Sequence, residues 1–329
     1  MSQVEENIAN LLQQTLSPNS AARKQAENLL SNLGLQKEFS IQLLSLITTN
    51  KYPVEIRTAA TLYFKNFIKK NWEQDENKDD IISYEERLEI KKNIISILMM
   101  LPPNLQLQLN EAISTIADCD FPAEWPNLIK DLVSHLSSTD FVSNNAVLAT
   151  FHSIFNRYRS DFRSDLLFSE IKYVISSFFN PYFQIFLSAD QLLSSCTDLA
   201  LGKLYLEAIK NCVIIYYDLN CQDLPELFED NLDQFTSLLH KYLVLDKLSS
   251  LNPVLSPLDS TDDDTAGILE EIKTEIFKVV YLYTNRYEDV FTQLPTFLDS
   301  IWNMLINIGL EPKYDSVSIS LPFLFSLLL

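Results

Sequence analysis

Glycine is almost missing: the 329 residues contain 4, against a usage of about 7% in ordinary globular chains. Hairpins and tight strand turns need backbone at positive φ, which glycine adopts without steric cost. A chain this poor in glycine reads as helices joined by short loops. Four scattered glycines also cannot build a phosphate-cradling loop. Cysteine is sparse too: Cys119, Cys196, Cys212 and Cys221 show no framework spacing, and no Asn-x-Ser/Thr acceptor occurs. Both absences fit a reducing compartment. No apolar run reaches the roughly 20 residues that span a bilayer, and the opening MSQVEENIANLL is acidic and amphipathic, unlike a signal peptide. The expectation is a soluble intracellular protein with no membrane insertion.

Positive charge is the next shortage. Against 44 acidic residues stand 25 basic ones, a formal charge of −19. Such a surface repels nucleic-acid phosphates and anionic membranes, which excludes both as expected partners and favours basic proteins. Hydrophobic residues make up 47% of the chain, enough for a substantial core, and the length corresponds to about two domains of ~150 residues.

What the chain does have is one amphipathic pattern after another. In PVEIRTAATLYFKNFIKKNW, residues 53–72, Pro53 fits a first helical position, and Ile56, Ala60, Tyr63, Phe64 and Phe67 recur at spacings of three and four. Arg57, Thr61, Lys65 and Lys69 fall together on a second, polar face, basic within an acidic protein. Lys69 and Lys70 suit the carbonyl end of the helix dipole. Further helices are expected over 4–16, 20–33, 38–49, 84–101, 104–118, 126–137, 141–159, 164–187, 199–217, 223–246, 266–286 and 288–308. Exposed loops are expected at EQDENKDD after Trp72 and over 247–265, which ends in DSTDDDT. Arg23, Ala26 and Leu30 superpose on Arg57, Ala60 and Phe64 with a constant offset of 34, a weak internal repeat. Helix pairs every ~35–50 residues with a drifting period point to a HEAT-type α-solenoid, in which pairs stack because none can bury its apolar face alone. The predicted fold is all-α, a right-handed superhelix of about seven antiparallel helix pairs, with one group of repeats over 1–159 and another over 160–317.

Chemistry-bearing constellations are missing. Asp118-Cys119-Asp120 has no further Cys or His at ligand spacing, so Cys119 reads as a partly buried structural residue at a helix end. His135, His152 and His240 lie in apolar-periodic helices and read as surface or packing residues. No enzyme, metal or cofactor is expected. FPAEWP (121–126) reads as a rigid turn with an aromatic plug, and the acids of LNCQDLPELFEDNLDQF (219–235) as helix-capping and solubilising charge.

Two of these stretches, YFKNFIKKNW (63–72) and FPAEWPNLI (121–129), resemble features of the importin-β (karyopherin) superfamily. FNRYRSDFRS (155–164), QDLPELFEDN (222–231), AGILEEIKTEI (266–276) and EPKYD (311–315) resemble more narrowly its importin-α re-exporter group, in register from about residue 7 to 316. The likeness departs at Cys221 and Leu227, where aromatics are expected. The resemblance implies an exportin that binds Ran-GTP, carries importin-α out of the nucleus, meets nucleoporins, and shuttles between nucleus and cytoplasm through the nuclear envelope. It also implies that the second helix of each early repeat lines the face where Ran docks. The residues carried over are Arg23 and Glu27, then Arg57, Thr61, Lys65 and Lys69, then Asn110, Ser114 and Asp118. Two alternatives stay open: an import receptor of the same superfamily, which would release cargo with Ran, and a static HEAT-repeat scaffold.

The end of the chain breaks the pattern. From about Ser318 the polar/apolar alternation stops, and LPFLFSLLL (321–329) carries no charge. A terminal repeat needs a polar outer face. The expectation is an incomplete receptor that engages Ran, exports importin-α poorly and self-associates through this apolar tail.

Overall fold

The computed structural model describes residues 3–73, 80–259, 266–291 and 299. Among these there is no strand. The chain divides into two compact units, residues 1–132 and 133–329.

The first unit opens with six helices: α1 (Gln3–Thr15), α2 (Ser20–Leu33), α3 (Phe39–Thr48), α4 (Val54–Asn71), α5 (Tyr84–Met100) and α6 (Pro103–Asp120). Their boundaries follow local chemistry. Asn19 caps α2 by accepting from Ala21 N (2.9 Å) and Ala22 N (3.4 Å). Ser83 and Glu86 form a reciprocal box at the head of α5, satisfying two donors that a helix start would leave bare. Prolines stand at the entries of α4 and α6; Pro53 is the cap residue with extended ψ of 153°, one position earlier than expected, and Pro103 opens α6. The helices stack in two layers. First helices α1, α3 and α5 pack on one another, second helices α4 and α6 do likewise, and each pair closes on itself. Ile8, Leu12, Leu30, Leu43, Phe64, Ile68, Ile94, Leu109 and Ile113 fill the space between, each at most 1% exposed. The short α7 (Leu128–Val133) follows the FPAEWP turn, half the length expected.

In the second unit α8 (Phe141–Phe155) ends in a 3₁₀ turn, Asn156–Arg159. Next come α9 (Asp165–Ser195), α10 (Leu199–Asn220), α11 (Glu226–Glu229), α12 (Leu232–Val244), α13 (Leu248–Leu251), a 3₁₀ stretch Pro253–Leu258, α14 (Ile268–Arg286) and α15 (Glu288–Phe291). Helix α10 packs against α8, α9 and α14. The core here is aromatic: Phe155, Tyr158, Phe178, Tyr182, Tyr216, Phe228 and Phe235 are all fully buried. Ring centroids lie 4.3 Å apart for Phe151 and Phe178, and 4.5 Å for Phe183 and Phe235.

Three expectations change. Helix α9 runs through Pro181 to Ser195, eight residues past the expected end. An interior proline costs about 3 kcal/mol, but Phe178, Phe179, Tyr182, Phe183 and Phe186 are all buried around it, and each contributes about 1.5–3 kcal/mol. Burial wins. The expected helix over 223–246 is split at Asp230 and Asn231. Residues 247–259, expected as an exposed loop, dock instead: Leu248 and Leu255 are fully buried, and Asn252 donates to Leu193 O (3.1 Å) and Cys196 O (2.9 Å). The acidic stretch 74–79, the DSTDDDT stretch from 260 to 265, most of the helix expected at 288–308 and the apolar segment 318–329 lie outside the described residues.

Candidate partner-binding surface

The nine residues expected to meet a partner sit on α2, α4 and α6, as the pairing predicts, but the structure divides them. Arg23 is half-buried and its Nη1 donates to Ser17 O (2.7 Å) and Pro18 O (2.9 Å), pinning the α1–α2 turn. Arg57 does the same one repeat later: Nε donates to Ile47 O (2.8 Å) and Nη1 to Asn50 Oδ1 (3.0 Å). The offset of 34 therefore marks a structural device, an arginine tying down the end of the preceding helix. Thr61 is a correction. It is fully buried, its Oγ1 donating to Arg57 O at 2.8 Å; a hydroxyl satisfied by its own helix can face the core. Asn110 is likewise buried, at 2% exposure, and presents no surface.

Lys65 bridges the layer. Its Nζ lies 3.0 Å from Glu111 Oε2, tying α4 to α6, and the side chain is 18% exposed against 54% for Glu111. Ser114 is half-buried. Glu27, Lys69 and Asp118 are exposed. The open part of the surface is thus narrower than the sequence implied, and it is not simply basic. On α4 it offers Lys69, with Asn66 and Lys70 beside it; on α6 it offers Glu111 and Asp118. Glu111 escaped the sequence reading although it lies seven residues before Asp118, on the same helical face.

Beside Lys70 is an apolar recess of about 240 Å³ between the end of α2 and the second half of α4. Leu35, Tyr63 and Phe67 line it, and Leu35 is 70% exposed. Gly34 lets the two helices close: a Cβ there would stand 3.2 Å from Phe67 Cε2. Burial pushes the Tyr63 hydroxyl above the usual phenol range, opposed by a hydrogen bond with Ser31. The surface can accept an apolar side chain flanked by groups of both charges. It has no nucleophile–base pair among these residues.

Elsewhere, no group of three His, Cys, Asp or Glu is placed to hold a metal ion among the described residues. Cys119 is exposed as a residue, though its thiol is covered enough that burial raises its pKa. His152 Nδ1 lies 2.8 Å from Asp218 Oδ2, while Arg159 Nε donates to Asp218 Oδ1 at 2.5 Å. With Asp218 fully buried, this is a strut joining α8, its 3₁₀ turn and α10.

Comparison with known proteins places this architecture. The Importin-beta N-terminal domain matches residues 26–100, and the Cse1 family matches residues 154–328. The Importin alpha re-exporter of Saccharomyces cerevisiae is 41% identical over 322 residues, 97% of this chain and 32% of the relative. Exportin-2 of Danio rerio is 37% identical over 98% of this chain and 32% of its own length. A solved structure of the exportin Cse1 in its cargo-free, cytoplasmic state superposes with a TM-score of 0.85 at 38% identity, covering 95% of this chain and 33% of that one. The chain therefore spans about a third of the length of the relatives it matches. Stacked helix pairs of the HEAT-repeat kind, with a family match over more than half of the 329 residues, make this chain a member of the Cse1 family.

Proposed function

We propose that this chain acts as a nuclear transport receptor of the exportin kind, not an enzyme, binding Ran in its GTP form and returning importin-α from nucleus to cytoplasm. One observation carries the reading: the similarity to an importin-α re-exporter spans 97% of the chain, so both units and the whole α2–α4–α6 surface lie within it. That surface takes Ran, through Lys69 and Lys70 on one side and Glu111 and Asp118 on the other, with Lys65 holding the two helices in place. Repeats in 1–159 make this contact. Nucleoporins are the third class of partner, met as the protein shuttles through the nuclear envelope.

The test is the affinity of the chain for Ran loaded with GTP or GDP, and for importin-α with and without Ran-GTP. Preference for the GTP form is expected, with Ran-GTP strengthening importin-α binding only weakly, because the chain spans about a third of the length of its relatives. Ran-GTP that weakens cargo binding would identify an import receptor instead, and indifference to the nucleotide a static scaffold. Reversing Lys69 and Lys70 to Glu should weaken Ran-GTP binding with helicity unchanged. Exposed charge contacts contribute only about 0.2–1 kcal/mol each, so the double reversal is the fair variant.

A further inference from the structure

The second unit carries a groove that the export reading does not use. It runs between the first turns of α9 and the segment 219–227, encloses about 420 Å³, and is floored by Phe168, Ile171, Ile175 and Leu219. Leu227 forms part of its lip at 39% exposure. The wall opposite α9 is held from behind. Gln222 is buried and donates to Tyr158 O (2.6 Å) and Asp161 O (3.0 Å), while Arg163 Nε donates to Gln222 Oε1 (3.2 Å). A recess whose wall is fixed by such bonds is present before any partner arrives, which lowers the ordering cost of binding.

The lip is acidic. Asp223 and Glu226 line the groove and both are exposed; Glu229 and Asp230, also exposed, come next in the chain but do not line it. The stretch 219–235 contains no Lys or Arg. Glu226 and Glu229 stand in the first turn of α11, where the helix-capping and solubilising role expected from the sequence places them, but neither Pro225 nor Asn231, the cap residues of α11 and α12, makes a side-chain cap bond. Glu226, Glu229 and Asp230 make no ion pair among the described residues. Lys172, on the α9 wall, is the one basic residue lining the groove.

We propose that this groove binds a basic amphipathic segment of another protein, with two apolar side chains three or four residues apart in the recess and Lys or Arg against Asp223 and Glu226 on the lip. Helical ligands engage such grooves with that spacing. An uncharged apolar occupant would strip water from the lip carboxylates without replacing it, whereas a basic one pairs with them and is drawn in by the same field. The site lies outside the α2–α4–α6 surface, so its failure leaves the Ran reading standing, and the reverse.

The experiment is fluorescence anisotropy of the full chain with labelled peptides of about 15 residues, carrying Leu at i and i+4 and otherwise basic, neutral or acidic positions. Saturable binding of the basic peptide alone is expected, weakening as salt rises from about 50 to about 300 mM. Ser176→Trp, which fills the recess from exposed α9, and the pair Asp223→Lys/Glu226→Lys, which reverses the lip, should each weaken it by about tenfold or more. Circular dichroism checks that both variants fold, and they alter opposite walls, so one suffices if the other does not. The proposal is overturned by absent binding, by neutral or acidic peptides binding as well as the basic one, or by variants that bind like the parent. It is also overturned if sedimentation shows a dimer that Ser176→Trp dissociates, since the occupant is then a second copy of this chain.

Discussion

Asp120 shows how a residue singled out for chemistry can turn out to be an anchor. Its Oδ1 accepts from Trp72 Nε1 (3.1 Å) and its Oδ2 from Lys91 Nζ (2.8 Å), and Lys91 also donates to Glu124 O (2.9 Å). Arg87 lies over the Trp72 ring, 4.9 Å from its centroid. The two stretches that look most like superfamily features, 63–72 and 121–129, therefore meet through α5, and their job is to lock three elements together. Lys91 and Asp120 are 8% and 13% exposed, so removing one partner strands a buried charge, at about 3–5 kcal/mol. Asp120→Ala should lower the urea midpoint sharply, Asp120→Asn less because the bond from Trp72 can survive, and Lys91→Met in the Ala background should recover part of the loss. A mild Asp120→Ala would mean that water already serves Lys91. Thiol chemistry offers a second check at this scale. Burial pushes the Cys212 thiol far up, and burial followed by the nearby Asp218 charge puts Cys221 at about 11. Cys196 is buried and Cys119 alone is exposed, though burial and then Asp120 raise it too. Native labelling near pH 8 should give one slow site that Cys119→Ser abolishes; two labelled sites would contradict the packing described.

At the scale of elements, the connection from α12 to α14 is the least expected part of the fold. Its residues 248–258 fold back over the α9–α10 turn, where Asn252 bonds Leu193 and Cys196 and Leu255 meets Gly202 of α10. A Cβ at Gly202 would lie 2.4 Å from Leu255 Cδ2. Replacing an interior helical glycine with alanine ordinarily stabilises by about 0.5–1 kcal/mol. Here Leu255 is fully buried, so it must repack, at about 1–3 kcal/mol. Gly202→Ala should therefore bring no gain in melting temperature and Gly202→Val a clear loss, while Leu255→Ala combined with Gly202→Ala should recover the ordinary benefit. A stabilised Gly202→Ala with Leu255 intact would show that the contact is loose. The same elements mark what was legible in the sequence. Apolar recurrence at three and four, broken by Pro18, Pro53 and Pro102–Pro103, located α1 to α6 within a residue or two, because those helices bury one continuous stripe. The strap at 248–258 was not legible, since its bonds reach some 56–59 residues away to carbonyls that leave no mark in the pattern. The candidate surface was half legible. Its helices followed from pairing and resemblance, but Thr61 and Asn110 are polar residues facing inward, and Arg23 and Arg57 spend their donors on turns. Periodicity separates faces; it does not say which polar groups already have partners.

For the whole molecule, a core built on tyrosine sets the response to pH. Tyr158, Tyr182, Tyr216 and Tyr242 are held well above the ordinary phenol range, first by burial and then by neighbours such as Glu170 beside Tyr158 and Asp190 beside Tyr242. Burial raises Tyr283 to about 12, and its hydroxyl shares a hydrogen bond with that of Tyr216 at 2.5 Å. In the unfolded chain the same hydroxyls lose their protons near pH 10. Above that point the folded state binds more protons than the unfolded one, so stability falls with rising pH. The contribution of each group is complete below about pH 10 and disappears as pH climbs to its folded value. Each such group costs about 1.4 kcal/mol per pH unit across that window. Five acting together remove roughly 7 kcal/mol per unit, comparable with the whole stability of a domain, about 5–15 kcal/mol. All five lie in the second unit, so alkaline unfolding should start there. Helicity at 222 nm should hold to about pH 10 and then collapse within about one unit, with tyrosinate absorbance at 295 nm rising in the same step. Tyr216→Phe keeps the ring packing and removes one titrating hydroxyl, which should move the midpoint to higher pH. Tyrosinate appearing gradually from pH 10 with helicity intact would show that these hydroxyls reach water in the folded protein, and the aromatic core described here would have to be looser than its packing implies.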